Sequence, residues 1–101
     1  MLVYGIQFAR TAERELGAIR AYDGRRILAT IDLQLAHHPA VPTRNRKMLE
    51  GVRPTFAAVP PVWELRVGEY RVFYDVNDAE QTVFVRAVRR KPPGRSTEEI
   101  A

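Results

Sequence analysis

The 101-residue chain contains no cysteine, and its histidines are His37 and His38 alone. Disulfide and thiolate chemistry are therefore excluded, and no spacing of side chains suggests a metal site. No run of about 18 apolar residues is present, so no membrane-spanning helix is expected. Residues 1–4 lead into a strand pattern and not into a signal peptide. We expect one domain over residues 1–101, with no cofactor and no membrane contact.

Positive charge is abundant and grouped. The net charge is +4, and residues 44–53 hold four cations against one acid. Residues 86–95 hold five cations and no acid. Such grouping suits a polyanionic partner, either nucleic acid or an acidic protein segment. A solvated basic surface explains the same pattern, so charge alone leaves both interpretations open.

The hydrophobic pattern predicts the element order β-α-α-β-β-β. Alternation over residues 2–8 predicts a first strand, and an apolar stripe from about residue 10 predicts a helix. We expect Asp23-Gly24 to break that helix and cap a second one, which Pro39 ends. The loop over 39–62 is rich in proline, with a short strand or turn at 47–49. This order predicts an α+β fold in which a two-helix hairpin packs on one face of a small, mainly antiparallel sheet.

Residues 63–74 (WELRVGEYRVFY) predict a β-hairpin. Gly68-Glu69 fits a two-residue type II′ turn, which places Arg66 directly opposite Arg71, at roughly 5 Å between Cβ atoms. One face of the hairpin is then apolar, and the other carries the arginine pair. Like charges in this position are destabilising, so the pair predicts a bound anion unless Glu64 neutralises it. A last strand is expected over 81–88, with Val83, Val85 and Ala87 on one face.

The chain resembles the RelE/ParE superfamily of toxins from type II toxin–antitoxin systems. The resemblance covers nearly the whole sequence, and its most specific part is the hairpin block at 63–76. The other matching segments are Phe8, 12–16, Pro39, 43–49 and the basic tail at 89–100. The resemblance implies a cytoplasmic toxin inhibited by an acidic cognate antitoxin. RelE-type members cleave mRNA on the ribosome without a metal ion, whereas ParE-type members inhibit DNA gyrase.

The resemblance also implies roles for single residues. Arg71 matches the strand arginine that contacts the scissile phosphate, with Arg66 as its partner, and Lys91 matches the catalytic arginine of the last strand. Glu64 is a candidate general base or a structural counter-ion. The other candidate RNA-binding cations are Arg44, Arg46, Lys47, Arg89, Arg90 and Arg95, although the loop at 44–53 could instead bind the antitoxin.

The sequence departs from the RelE pattern at two places. Thr97 occupies the position of a C-terminal tyrosine, and Val62 and Glu64 replace a lysine pair. Threonine is a poor acid or base, so these departures leave three functions open. The protein is an mRNA endonuclease, a toxin that binds a protein such as gyrase, or a basic binding module without toxicity.

Overall fold

The computed structural model describes residues 3–101 and contains a five-stranded sheet with three helices. Met1 and Leu2, the second of which was predicted to start the first strand, lie outside the described residues. The elements are β1 (Gly5–Phe8), α1 (Arg10–Ala18), α2 (Ala21–Leu35), β2 (Arg46–Met48), β3 (Trp63–Val67), β4 (Tyr70–Asn77), β5 (Thr82–Arg90) and α3 (Thr97–Ile100). Within residues 3–101, no helix is both long enough and apolar enough to span a membrane.

The sheet has the strand order β1-β5-β4-β3-β2. β1 is parallel to β5, and the other neighbouring strands are antiparallel. This arrangement confirms the predicted α+β, mainly antiparallel fold. The short strand suspected at 47–49 is β2, which pairs Lys47 with Glu64 at the sheet edge.

The helix boundary differs from the prediction. α1 ends at Ala18, and Ile19 and Arg20 are extended, so the break precedes Asp23-Gly24. Those two residues lie buried in the first turn of α2. A glycine there costs only about 1 kcal/mol, which tertiary contacts override. Asp23 does not cap the helix by a side-chain bond; its carboxylate accepts from Arg20 Nε at 2.7 Å and from Tyr70 OH at 3.2 Å.

The main core lies between α2 and one face of the sheet. Ile27, Ile31 and Leu35 of α2 are fully buried and belong to one cluster with the inward residues of β3, β4 and β5. Leu65 and Val72 contribute the centre of that sheet face. The alternation of the hairpin therefore buries the face that the sequence predicted to be apolar. Tyr74 is also fully buried in it and donates its hydroxyl to Pro39 O at 2.7 Å.

A bulge in the β4–β5 pairing changes which face the last strand presents. The register shifts at Phe73/Tyr74, so Phe73 pairs with Ala87 and Tyr74 with Val85. Ala87 was predicted to share a face with Val85, and that prediction is wrong because the extra residue reverses the alternation. Ala87 and Phe73 instead lie in a second, smaller cluster on the opposite face. Phe56 belongs to the same cluster, and its ring centroid lies 5.4 Å from that of Phe73.

Candidate functional site: a cation-lined pocket

The hairpin has the predicted register. Arg66 pairs with Arg71 across β3 and β4, and Val67 pairs with Tyr70 at the turn. Gly68 has a φ of +57°, and Glu69 does not have a positive φ. A type II′ turn requires this combination, with the positive φ at its first central residue. The two arginines therefore lie side by side on the sheet face opposite α2.

A pocket of about 380 Å³ lies over this arginine pair. Its lining residues come from β2 and the turn before it, from β3, β4 and the end of β5, and from α3. They are Thr43, Arg44, Asn45, Arg46, Lys47, Glu64, Arg66, Arg71, Lys91 and Thr97. We call this the cation pocket, because six of these ten side chains are Arg or Lys. Within residues 3–101, no three His, Asp or Glu side chains are grouped so that they could hold a metal ion.

Arg71 is one of the buried side chains of the cation pocket and is 8% exposed. Its Nη1 donates to Gly68 O and to Tyr70 O, both at 2.9 Å. Burial lowers the pKa of Arg71; Glu64 opposes that change, and the neighbouring Arg66 adds to it. A guanidinium is still charged under these conditions. Arg71 therefore presents a buried positive charge that two carbonyl groups hold, and none of the ion pairs within 4 Å in residues 3–101 includes it.

Glu64 is buried beside Arg71 but is paired elsewhere. Its Oε2 accepts from Thr97 Oγ1 at 2.8 Å, and its Oε1 lies 3.7 Å from Lys47 Nζ. Among the described residues, the ion pairs within 4 Å include neither Arg66 nor Arg71. The ion pair that Glu64 makes within 4 Å is therefore with Lys47, whereas its electrostatic effect on Arg71 acts over a longer distance.

The bulge brings Lys91 to the pocket. Because the register shifts by one residue, Arg89 pairs with Arg71, and the sheet face that carries Arg71 continues through Arg89 to Lys91. The backbone N–H of Lys91 donates to Glu69 O at 2.7 Å, which anchors the end of β5 to the hairpin turn. The four predicted catalytic residues, Arg66, Arg71, Glu64 and Lys91, all line the cation pocket.

Three of the six predicted RNA-binding residues also line the pocket, but they are not equivalent. Arg44 and Lys47 are exposed. Arg46 is 7% exposed and lies opposite Leu65 on the helix side of the sheet. Its Nη1 donates to Gln34 O and to His37 O at the end of α2. Its guanidinium thus satisfies helix carbonyls, as cations near helix C-termini do.

The other three predicted RNA-binding residues lie outside the pocket. Arg89 donates to Glu15 at 2.9 Å and to Ile100 O at 2.9 Å, so it connects α1 with the tail. Arg90 and Arg95 each form an ion pair: Arg90 Nε lies 3.4 Å from Glu69 Oε2, and Arg95 Nη1 lies 2.9 Å from Glu99 Oε2.

Sequence reasoning did not single out Thr43 and Asn45 as site residues, although both line the pocket. They form a tight turn, in which Asn45 N–H donates to Thr43 Oγ1 at 3.2 Å, and Asn45 O accepts from Arg66 N–H at 2.8 Å. The Thr-Arg-Asn-Arg pattern just before a suspected strand was the available signal, since Thr and Asn are typical turn residues.

Comparison with known proteins identifies the class. The family model for the ParE toxin of the type II toxin–antitoxin system parDE matches residues 6–91. No curated protein matches at a significant level. Among solved structures, the toxin–antitoxin complex RelBE2 from Mycobacterium tuberculosis contains a chain with 25% identity and a TM-score of 0.71, over 90% of this chain and 94% of that one.

Two further structures show the same fold. The archaeal RelE–RelB complex from Pyrococcus horikoshii has 24% identity and a TM-score of 0.68, covering 94% of this chain and 100% of the other. The isolated RelE toxin of E. coli has 21% identity and a TM-score of 0.67, covering 93% and 88%. The fold and the family match together define a toxin of the RelE/ParE superfamily. The chain belongs to the ParE toxin family of type II toxin–antitoxin systems.

Proposed function

We propose that this toxin is an endoribonuclease that cleaves mRNA on the ribosome and uses its own side chains in place of a metal ion. The observation that supports the proposal is the convergence of Arg66, Arg71, Lys91 and Glu64 in one pocket. A concave site with excess positive charge suits a phosphodiester, because guanidinium forks bind phosphate oxygens in pairs.

The chemistry assigns a task to each side chain. In RNA cleavage of this kind, the 2′-oxygen attacks the neighbouring phosphorus, and the bond from phosphorus to the 5′-oxygen breaks. A base takes the 2′-hydroxyl proton, an acid protonates the 5′-oxygen, and cations stabilise the charge on the phosphoryl oxygens. Arg71 and Arg66 carry the charge stabilisation. Glu64 is the carboxylate that would accept the proton, and Lys91 offers an ammonium group that would supply one.

The experiment is controlled expression in a bacterial host, with growth and transcript 5′ ends measured together. The variants are Arg71→Ala and Arg66→Ala; the second removes an exposed side chain, so folding is not at risk. Arg10→Ala, which removes an exposed cation far from the pocket in sequence and outside its lining, is the matched control. We expect growth arrest with cleavage inside translated codons for the wild type and the control, and loss of both in the pocket variants. Arrest with intact transcripts would refute the proposal.

Action on a protein target such as DNA gyrase is the second candidate. The matching family model is that of a ParE toxin, and it includes nine of the ten pocket residues, all but Thr97. The residues described as lining the pocket include neither histidine nor tyrosine, so the usual proton shuttles are missing. A supercoiling assay with purified toxin tests this candidate, and unaffected gyrase would remove it. Absence of growth arrest altogether would favour a binding module without toxicity.

We also propose that an acidic cognate antitoxin binds this toxin. Two of the similar structures are complexes of relatives with antitoxins, RelBE2 and RelE–RelB. The net charge of +4 favours an acidic partner through electrostatic attraction. Association should weaken as salt is raised, and a complex that is indifferent to salt would contradict the electrostatic part of the proposal.

A further inference from the structure

The β3–β4 turn, Val67–Tyr70, connects the cation pocket to α2. On the pocket side, Arg71 Nη1 donates to Gly68 O and Tyr70 O at 2.9 Å, and Lys91 N–H donates to Glu69 O at 2.7 Å. On the other side, Arg26 Nη2 donates to Val67 O at 3.4 Å. Besides the strand pairing of β3 with β4, each of the four carbonyl oxygens of the turn therefore accepts a hydrogen bond, three from pocket residues and one from α2.

Side chains of α2 also contact the turn at Tyr70 and at Gly68. Tyr70 OH donates to Asp23 Oδ2 at 3.2 Å, and Arg20 Nε holds the same carboxylate oxygen at 2.7 Å. The guanidinium of Arg26 covers Gly68 so closely that a Cβ added there would lie 2.1 Å from Nη2. Two side chains of α2, Arg26 and Asp23, thus contact the two ends of the turn.

The orientation of Arg71 depends on this turn. Among the described residues, the hydrogen bonds of the Arg71 side chain are those to the carbonyls of Gly68 and Tyr70. Gly68 and Glu69 are exposed, so apart from the flanking β3–β4 pairing the two central residues of the turn are held by their contacts with α2, β4 and the end of β5. A displacement of the turn therefore moves the carbonyl pair that aims the Arg71 guanidinium into the pocket.

We infer that Arg26 and Asp23 are positioning residues for the cation pocket, because they fix the β3–β4 turn that orients Arg71 and anchors Lys91. They touch no substrate themselves. The effect on catalysis rests on the proposed function, whereas the effect on Arg71 geometry does not. Small misplacements of a charge-stabilising group reduce turnover more than binding, since geometry matters most in the transition state.

The test uses Arg26→Met, which keeps much of the apolar side chain and removes the guanidinium, and Tyr70→Phe, which removes only the hydroxyl. Arg25→Met is the matched control, because Arg25 is an exposed neighbour on α2 outside the pocket lining. Two quantities are measured for each purified protein. The first is the arginine Nε–H NMR signal of Arg71, assigned from its absence in Arg71→Lys, and the second is kcat and KM for cleavage of mRNA bound to ribosomes.

We expect Arg26→Met to move or broaden the Arg71 signal and to lower kcat about tenfold with little change in KM. Tyr70→Phe should act in the same direction more weakly, Arg26→Lys should restore part of kcat, and Arg25→Met should match the wild type. An unchanged Arg71 signal in Arg26→Met would overturn the inference, even if RNA cleavage is present. A changed signal in a protein that cleaves no RNA would support the positioning of Arg71 and refute the proposed function instead.

Discussion

Replacing Gly68 with alanine should destabilise the fold by about 2–3 kcal/mol, for two separable reasons. The φ of +57° at this position costs an L-residue with a Cβ about 1–2 kcal/mol. The new Cβ would also lie 2.1 Å from Arg26 Nη2, so the guanidinium must move. Because that atom is the end of a flexible side chain, the further cost is limited to the lost contact with Val67 O, about 1 kcal/mol.

A double-mutant cycle separates the two contributions. Arg26→Ala alone already loses the bond to Val67 O, so Gly68→Ala added to it should cost only the backbone contribution of about 1–2 kcal/mol. The single effects should therefore overlap by about 1 kcal/mol in urea unfolding measured by circular dichroism. Gly17→Ala is the matched control. That glycine lies in α1 with no atom within 4 Å of an added Cβ, and the change should stabilise the protein by about 0.4–1 kcal/mol.

Two results would refute this reasoning. Additive single effects, to within about 0.5 kcal/mol, would mean that Arg26 does not occupy the space beside Gly68. A Gly68→Ala variant as stable as the wild type would mean that the turn does not require a positive φ.

Two further predictions concern buried carboxylates. Asp75 is 3% exposed and binds Arg86 Nε at 2.6 Å and Val59 N–H at 3.0 Å. Asp75→Ala leaves the charge of Arg86 without its partner, so it should lower the free energy of unfolding by about 3 kcal/mol in urea melts. A loss below about 1 kcal/mol would contradict this prediction and would show that water solvates Arg86 in the variant. The bonds from Arg20 and Tyr70 lower the pKa of Asp23, and burial opposes them. The stability that Asp23 contributes is thus fully present above its unfolded pKa of 3.8 and is lost as pH falls through the lower folded value. In Asp23→Asn, the free energy of unfolding should therefore fall less steeply than in the wild type between about pH 5 and about pH 2. An unchanged pH dependence would contradict the stabilising role of the Asp23 carboxylate.

The hairpin and its arginine pair could be predicted because local rules determine them. Alternation assigns the faces, and a two-residue turn with glycine in its first position fixes which residues are opposite. The position of Arg66 opposite Arg71 therefore follows from twelve consecutive residues, without knowledge of the rest of the chain. No comparable local rule predicts contacts between residues that are far apart in the sequence.

The bulge at Phe73/Tyr74 is the feature that local rules missed. Residues 81–88 alternate regularly, and nothing in them indicates that Ala87 changes face. The bulge is instead associated with tertiary contacts, because Ala87 and Phe73 pack together in the second cluster while Val88 lies in the main core. Since the shift also carries Arg89 and Lys91 to the pocket side, the assembly of the site depended on a feature that only the folded structure provides.

The position of the helix boundary and the burial of Arg46 were not predicted, for related reasons. Asp23-Gly24 is a strong local break signal, but the carboxylate of Asp23 is used by Arg20 and Tyr70, and the helix continues through it. Arg46 was grouped with its neighbours by charge alone. Once β2 is known to begin there, alternation places Arg46 on the helix side and Lys47 beside Glu64.

Three arginines lie in one row across the sheet, since Arg66 pairs with Arg71 and Arg71 pairs with Arg89. Each is compensated differently. Arg89 is bound by the carboxylate of Glu15, Arg71 is held by neutral carbonyls, and Arg66 is exposed without a carboxylate within 4 Å in the described chain. If the row were only a structural element, neutralising the buried middle member would relieve the greatest repulsion. The fold instead pairs the outer member with Glu15 of α1, whereas Arg66 and Arg71 take part in none of the ion pairs within 4 Å in the described chain and Glu64 acts on Arg71 over a longer distance. This arrangement supports the phosphate-binding role proposed for the pocket.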